Sequence, residues 1–227
     1  MAHLEKYKAS SVGHMLAHYR RDPSSLGREN IDPARVEMDY TLAIDPADGL
    51  VKPMEGVEPN WATVEGRIER VNERAKAEGK RAVRKDAVRL VEGIVTASPE
   101  FFEGASAEEV RDFFEDALGF CREEFGESNL VHFTVHMDEE TPHAHFGFVP
   151  LKDGKLSWKG FFPDKAALGA MQDRFYGRVG ALYGLSRGEK RLEGQPARRH
   201  KSVAEYKAES RRSGFRSARF PTVGLPS

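Results

Sequence analysis

Residues 136–145 read His136-Met137-Asp138-Glu139-Glu140-Thr141-Pro142-His143-Ala144-His145, and they hold three of the chain's eight histidines together with three carboxylates. His143 and His145 are two residues apart. On a β-strand that spacing puts both imidazoles on one face, about 6 to 7 Å apart along the chain, with Ala144 turned the other way. If the strand pairs with the one before it as an antiparallel hairpin, His136 supplies a third imidazole. Three neutral imidazoles with coordination positions left open can hold a divalent metal and keep it available for Lewis-acid chemistry. The plainer alternative is three strand histidines, each hydrogen-bonded or solvated.

The flanking residues supply the strands. Leu130-Val131-His132-Phe133-Thr134-Val135 precedes the cluster and Phe146-Gly147-Phe148-Val149-Pro150 follows it. Thr141-Pro142 fits a turn or the start of a strand, since proline fixes φ and donates no ladder hydrogen bond. His136 is therefore expected to end one strand, and His143 and His145 to lie on the next.

Around this hairpin the pattern predicts alternating strands and helices. Short strands are expected over residues 4–10, 36–44 and 87–97, and 156–162 is read as a strand paired across the Asp153-Gly154 turn. Helices are expected over 11–20, 61–77 and 164–183, the last capped by Asp164 and ended by Gly184. Another starts at Ser106, whose Ser106-Ala107-Glu108-Glu109 is a capping box, and stops at Gly126. Residues 45–60 carry three prolines and two glycines and read as a loop, and Ser98-Pro99 as a turn. Residues 202–212 could form one more helix before a disordered end. The fold class expected is α+β, an antiparallel sheet packed against helices, with residues 1–200 as the main domain and 201–227 as a basic appendage.

With 227 residues, 39% hydrophobic and 31% charged, the chain can bury a core and has no apolar run of membrane-spanning length. Its first residues have no apolar signal-peptide core, so a cytoplasmic location is expected. The single cysteine, Cys121, lies in an amphipathic helical pattern and reads as a buried small hydrophobe. Net charge is −1, but it is unevenly spread. Residues 184–227 hold eleven Lys/Arg against four Glu, and residues 99–127 hold ten Asp/Glu against two Arg. A basic block of that size is either a solvated tail or the electrostatic footprint of a phosphate-binding surface.

The ten-residue stretch resembles the third motif, H-x-D-E-x-x-P-H-x-H, of the Mob/Pre (MobV) plasmid mobilisation relaxases, members of the HUH single-strand endonucleases. Upstream, His18-Tyr19-Arg20-Arg21 resembles the family's H-x-x-R. Asp32, Arg35 and Asp39-Tyr40-Thr41-Leu42 resemble its D-x-x-R followed by N-Y-D-L, with Asp39 in place of Asn and Thr41 in place of Asp. Segments Gly184 to Gly188 and Arg198 to Tyr206 resemble stretches found after the hairpin. The likeness runs over about residues 1 to 210, without the long helical C-terminal region of many members.

The resemblance implies site- and strand-specific nicking of DNA at a transfer origin. A covalent 5′-phosphoprotein is formed and a free 3′ hydroxyl released. It implies His136, His143 and His145 as ligands of Mn²⁺ or Mg²⁺, His18 as nucleophile, Arg21 as a phosphate holder and Glu139 as a proton-moving or orienting group. Tyr40 is the rival nucleophile, since many HUH enzymes use tyrosine, and its plainer role is packing. A rolling-circle replication initiator would place that tyrosine after the histidines, where Tyr176 and Tyr183 stand; a DNA-binding module without nicking activity is the non-enzymatic alternative. Arg35, Arg187, Lys190, Arg198, Arg199 and Lys201 are the candidate DNA contacts. Trp158, Phe161 and Phe162 could stack on unpaired bases, but core packing suits them better. The implied partners are single-stranded or supercoiled origin DNA and a coupling protein of a conjugation system.

Overall fold

The computed structural model describes residues 2–8, 31–44, 51–53 and 61–188, which belong, Gly188 apart, to the compact unit Met1–Arg187. The helices expected over 11–20 and 202–212 lie outside the described residues. Among the described residues six strands form one sheet: β1 (Ala2–Tyr7), β2 (Tyr40–Ile44), β3 (Val51–Pro53), β4 (Leu90–Thr96), β5 (Leu130–His136) and β6 (His143–Phe148). Their order is β1-β4-β6-β5-β2-β3, with every neighbouring pair antiparallel. The expected α+β class and the histidine hairpin are both present, with β5 and β6 at the centre of the sheet.

Period-two alternation divides the central strands into two unlike faces. On one, Val95, Phe133, Val135, Ala144, Phe146 and Phe148 are fully buried. Helix α3 (Ala107–Phe125) seals this face: Phe125 stacks on Phe148 and Phe146 with ring centroids 4.2 and 5.4 Å apart. The Ser106 capping box forms as expected, and burial pushes the Cys121 thiol well up, as befits a packed side chain. Helix α5 (Lys165–Arg178) packs on α3 through Phe175 and Phe120.

The second face carries Glu92, His132, Thr134 and His136, all buried. Helix α1 (Trp61–Ala77) covers one end of it, where Val64 and Ile68 pack with Leu90, Val131 and Val149. Arg67 of α1 is 4% exposed and donates to the carbonyls of Asn129 and Leu130 at 2.6 and 2.9 Å; burial pulls its pKa down to about 10. A register shift between Leu130 and His132 lets Val131 join the α1 cluster while Leu130 stays opposite Phe148. His132 Nε2 lies 3.0 Å from Glu92 Oε1, and Gly147 stands opposite His132 in the neighbouring strand. A Cβ at Gly147 would come within 2.6 Å of that ring nitrogen, so the buried pair requires glycine there.

Four expectations need correction. Residues 36–38 form a 3-10 turn rather than strand, because Asp32 starts an Asx turn by accepting from the Ala34 N–H. The loop over 45–60 contains β3, where Pro53 is tolerated on an edge strand. Ser98-Pro99 opens a short helix, α2 (Pro99–Gly104), with proline in the first turn, where its missing N–H costs nothing. Finally, 156–162 is not one strand. A two-residue hairpin, β7 (Leu151–Lys152) and β8 (Lys155–Leu156), gives way to α4 (Trp158–Phe161) once Ser157 Oγ accepts from the Gly160 N–H.

Candidate functional site

β5 and β6 pair so that His136 stands opposite His143, and His145 opposite Thr134. The three imidazoles converge: ring centroids are 5.4 Å apart for His136–His143, 5.4 Å for His136–His145 and 5.0 Å for His143–His145. His136 is 1% exposed, whereas His143 and His145 are half-buried. The cluster is thus anchored at its inner side and reachable from its outer side.

Hydrogen bonds decide which nitrogens can bind a metal. His136 Nδ1 lies 2.8 Å from Asp39 Oδ2, and His143 Nδ1 lies 3.0 Å from the Thr141 carbonyl oxygen. A carboxylate and a carbonyl accept only, so both Nδ1 atoms carry the proton and Nε2 becomes the basic nitrogen of each ring. Orienting one ring nitrogen through an acceptor so that the other can ligate is what metal-binding histidines require. The residues present therefore fit a divalent cation.

The loop that joins the two strands is laced to its neighbours. Asp39 Oδ1 accepts from the backbone N–H groups of Met137 and Asp138 at 2.7 and 3.2 Å. The Asp32 N–H donates to the Asp138 carbonyl at 2.7 Å. The Arg35 guanidinium donates to the carbonyls of Met137 and Glu139, the latter at 3.4 Å. From the other side Thr96 Oγ1 donates to the Pro142 carbonyl at 2.8 Å. Asp32-x-x-Arg35 is therefore a clamp on the loop that carries Asp138 and Glu139.

Arg35, expected as a DNA contact, turns two of its guanidinium nitrogens to loop carbonyls. Arg187, also expected as a DNA contact, donates from Nε to Asp173 Oδ1 at 2.7 Å and from Nη2 to the Gly169 carbonyl at 3.3 Å, pinning the chain to α5. Glu139 is half-buried and Glu140 exposed. His18, Arg21, Lys190, Arg198, Arg199 and Lys201 lie outside the described residues.

Tyr40 does not join the histidines. It stands opposite Val135, so it points to the α3 face, where Arg111 and Glu115 of α3 lie near it, and burial pushes its phenol up to about 12. Tyr183 is also on the α3 side, donating to Asp116 Oδ2 at 2.8 Å; burial and that bond hold its proton on. Tyr176 lies on α5, the helix packed against α3.

The sequence reading missed Asp39, noting it only as a departure from a motif. Asp39, His136 and Asp138 bring ligand-type atoms within 4.8 Å of one another, and Asp138 is fully buried. Both Asp39 oxygens accept hydrogen bonds, so this carboxylate orients the His136 ring and the loop after it. A signal existed: a metal-binding histidine needs an acceptor on its second nitrogen, and an acid at the start of a paired strand can supply one.

Comparison with known proteins places this geometry. The family model described as plasmid recombination enzyme (Mob_Pre) matches residues 57–208. Plasmid recombination enzyme type 3 of Staphylococcus aureus is 34% identical over 193 residues, which is 84% of this chain and 42% of that protein. A plasmid recombination enzyme of Streptococcus agalactiae is 35% identical over 210 residues, 91% of this chain and 38% of that protein. The chain thus spans about two fifths of the length of these curated relatives. The crystal structure of the MobM relaxase domain bound to plasmid pMV158 oriT DNA, with Mn bound at pH 6.8, is 33% identical, with a TM-score of 0.71, and the match covers 92% of this chain and 97% of that one. Another MobM complex, with 23 nucleotides of the same DNA, gives 33% identity and a TM-score of 0.70.

Proposed function

The chain belongs to the Mob_Pre family of plasmid recombination enzymes, and from that premise we propose that it nicks and rejoins one DNA strand at a plasmid transfer origin through a covalent 5′-phosphoprotein. The observation that carries this reading is the convergence of His136, His143 and His145, with two of the rings held through Nδ1 so that Nε2 is the nitrogen left to ligate.

These three histidines hold a divalent cation, for which Mn²⁺ is the first choice given the Mn-bound MobM complexes. Bound there, it supplies Lewis acidity toward the scissile phosphate. The chain's own residues do the rest. A His18 ring nitrogen attacks phosphorus: the N–P bond forms, the P–O3′ bond breaks, and the 3′ oxygen leaves with the bonding pair. The proton released from the His18 ring passes by way of the Glu139 carboxylate to the 3′ oxygen, giving the free 3′ hydroxyl. The reverse reaction reseals the strand. Asp39 and the Asp32/Arg35 clamp keep His136 and Glu139 in position. Arg21 holds phosphate, and Lys190, Arg198, Arg199 and Lys201 add backbone contacts from the basic C-terminal part. Residues 1–200 form the nicking domain in this reading and 201–227 its appendage, acting in the cytoplasm and delivering the nicked strand to a coupling protein. No described helix is long and apolar enough to cross a membrane.

The test is relaxation of supercoiled plasmid carrying the cognate origin, with Mn²⁺ or with EDTA. Relaxed product with protein-blocked 5′ ends is expected from the wild type with Mn²⁺. It should be absent with EDTA and in His18→Ala and His143→Ala, and retained in Tyr40→Phe. Retention of full nicking by His143→Ala, or its loss in Tyr40→Phe at an unchanged melting temperature, overturns the proposal.

A further inference from the structure

The loop between β5 and β6 hangs between the ends of the two strands that flank the hairpin. On the β2 side Asp39 holds it. On the β4 side, among the described residues, the tie is Thr96, the last residue of that strand. Thr96 stands opposite His143 in the β4–β6 ladder, so the two side chains share the histidine face. Its Oγ1 donates to the Pro142 carbonyl at 2.8 Å, with the Ala97 carbonyl a second acceptor at 3.3 Å. A hydroxyl has a single proton to give, and the shorter contact takes the larger share of it.

That bond fixes a peptide group next to a ligand. The buried Pro142 carbonyl leads directly into His143, and the Thr141 carbonyl one residue earlier accepts from His143 Nδ1 at 3.0 Å. The proline ring locks φ at 142, and strand pairing sets φ at 143. The remaining freedom between the two carbonyls is ψ of Pro142, which is the angle that the Thr96 bond holds.

We propose that Thr96 is a positioning residue for His143. By turning the Pro142 carbonyl, its hydroxyl aims the Thr141 carbonyl at Nδ1 and leaves Nε2 as the nitrogen that ligates. This role rests on the nicking reading, in which His143 is a metal ligand. A neutral imidazole can carry its proton on either nitrogen, and the hydrogen bond made by one of them decides which. If the Thr141 carbonyl swings away, the proton is free to occupy Nε2, and a protonated nitrogen cannot ligate. The two ends of the loop differ in this respect. His136 is 1% exposed and bonded to a carboxylate, whereas His143 is half-buried and bonded to a neutral carbonyl, the weaker acceptor. Aim is therefore easier to lose at His143.

The experiment records the ring-nitrogen shifts of the full chain labelled with nitrogen-15 histidine, free of metal and at alkaline pH, with His143 assigned from its loss in His143→Ala. Wild-type His143 is expected as the Nδ1–H tautomer. Thr96→Val keeps the β-branched shape and removes the hydroxyl. It should turn His143 into a mixture of tautomers and weaken Mn²⁺ binding, read by titration calorimetry, about tenfold. Thr96→Ser restores the hydroxyl and should bring both readings back to the wild-type values. His136, held by Asp39, should stay Nδ1–H in every variant, which separates lost aim from lost structure. An unchanged His143 tautomer in Thr96→Val overturns the proposal whatever the Mn²⁺ affinity does. So does a serine variant that behaves like the valine one, or a His136 tautomer that changes along with His143. None of these readings needs DNA: a wild type that shows them but never nicks defeats the nicking proposal and leaves this one standing.

Discussion

The two faces of the central sheet come from the same residues taken alternately, yet they do different things. On β5, Phe133 and Val135 face α3 while His132, Thr134 and His136 face the other way; on β6, Ala144, Phe146 and Phe148 alternate with His143, His145 and Gly147. The α3 face is a stacked aromatic core with its polar groups at the rim. The opposite face buries histidines and carboxylates, each engaged by a polar neighbour. Stability can thus be concentrated on one face so that polar groups can be held on the other, where burying them costs free energy. The α3 side is also strongly acidic, with seven carboxylates against two arginines on that helix.

The largest test of this division is His145→Ala. It removes one imidazole from the cluster, and Mn²⁺ affinity measured by titration calorimetry should fall by more than about a hundredfold. The melting temperature should move little, because the ring is half-buried and stacks no core residue. A large drop in melting temperature would show that the histidine face carries stability after all. The mirror-image change is Phe125→Ala on the other face. Removing a ring stacked on two others should cost about 3–5 kcal/mol in chemical denaturation, while Mn²⁺ affinity of the folded protein stays as in the wild type.

Asp39→Ala is smaller. It leaves the ligands in place but removes the acceptor that fixes His136 and ties down Met137 and Asp138, so Mn²⁺ affinity should fall about 10- to 100-fold. Asp39→Asn should fall less, since one amide oxygen still accepts. Equal affinity in all three proteins would show that the sheet alone sets the ring.

The smallest effect belongs to Tyr40→Phe. Folding raises this phenol from its ordinary value of 10.0 to about 12, so the folded form keeps its proton where the unfolded chain has lost it. That contribution is fully present below pH 10 and lost between pH 10 and 12, by up to about 2–3 kcal/mol. The variant should therefore lose stability less steeply over that window in denaturant titrations, with nicking at neutral pH unchanged.

Much of this was legible in the sequence because it depends on local periodicity. The His143-Ala144-His145 alternation, the Ser106 capping box and the Gly126 and Gly184 stops are each set within a few residues. Errors fell where two local readings compete. Val36-Glu37-Met38 is strand-like in composition but turned by Asp32, and Trp158-Lys159-Gly160-Phe161 is an apolar run too short to fix its period.

What the sequence determined by itself is the pair of strands, the side of each on which the histidines lie, and a family-level reading of their purpose. What only the tertiary structure decided is who meets whom across the sheet. Asp39 reaches His136 over 97 residues of chain, Arg35 turns inward to clamp a loop over 100 residues away, and Tyr40 lands on the face opposite the three histidines. Strand order and register fix those meetings. A shift of one residue would turn every side chain to the other face, and the pairing of non-neighbouring strands leaves no periodic mark on either of them.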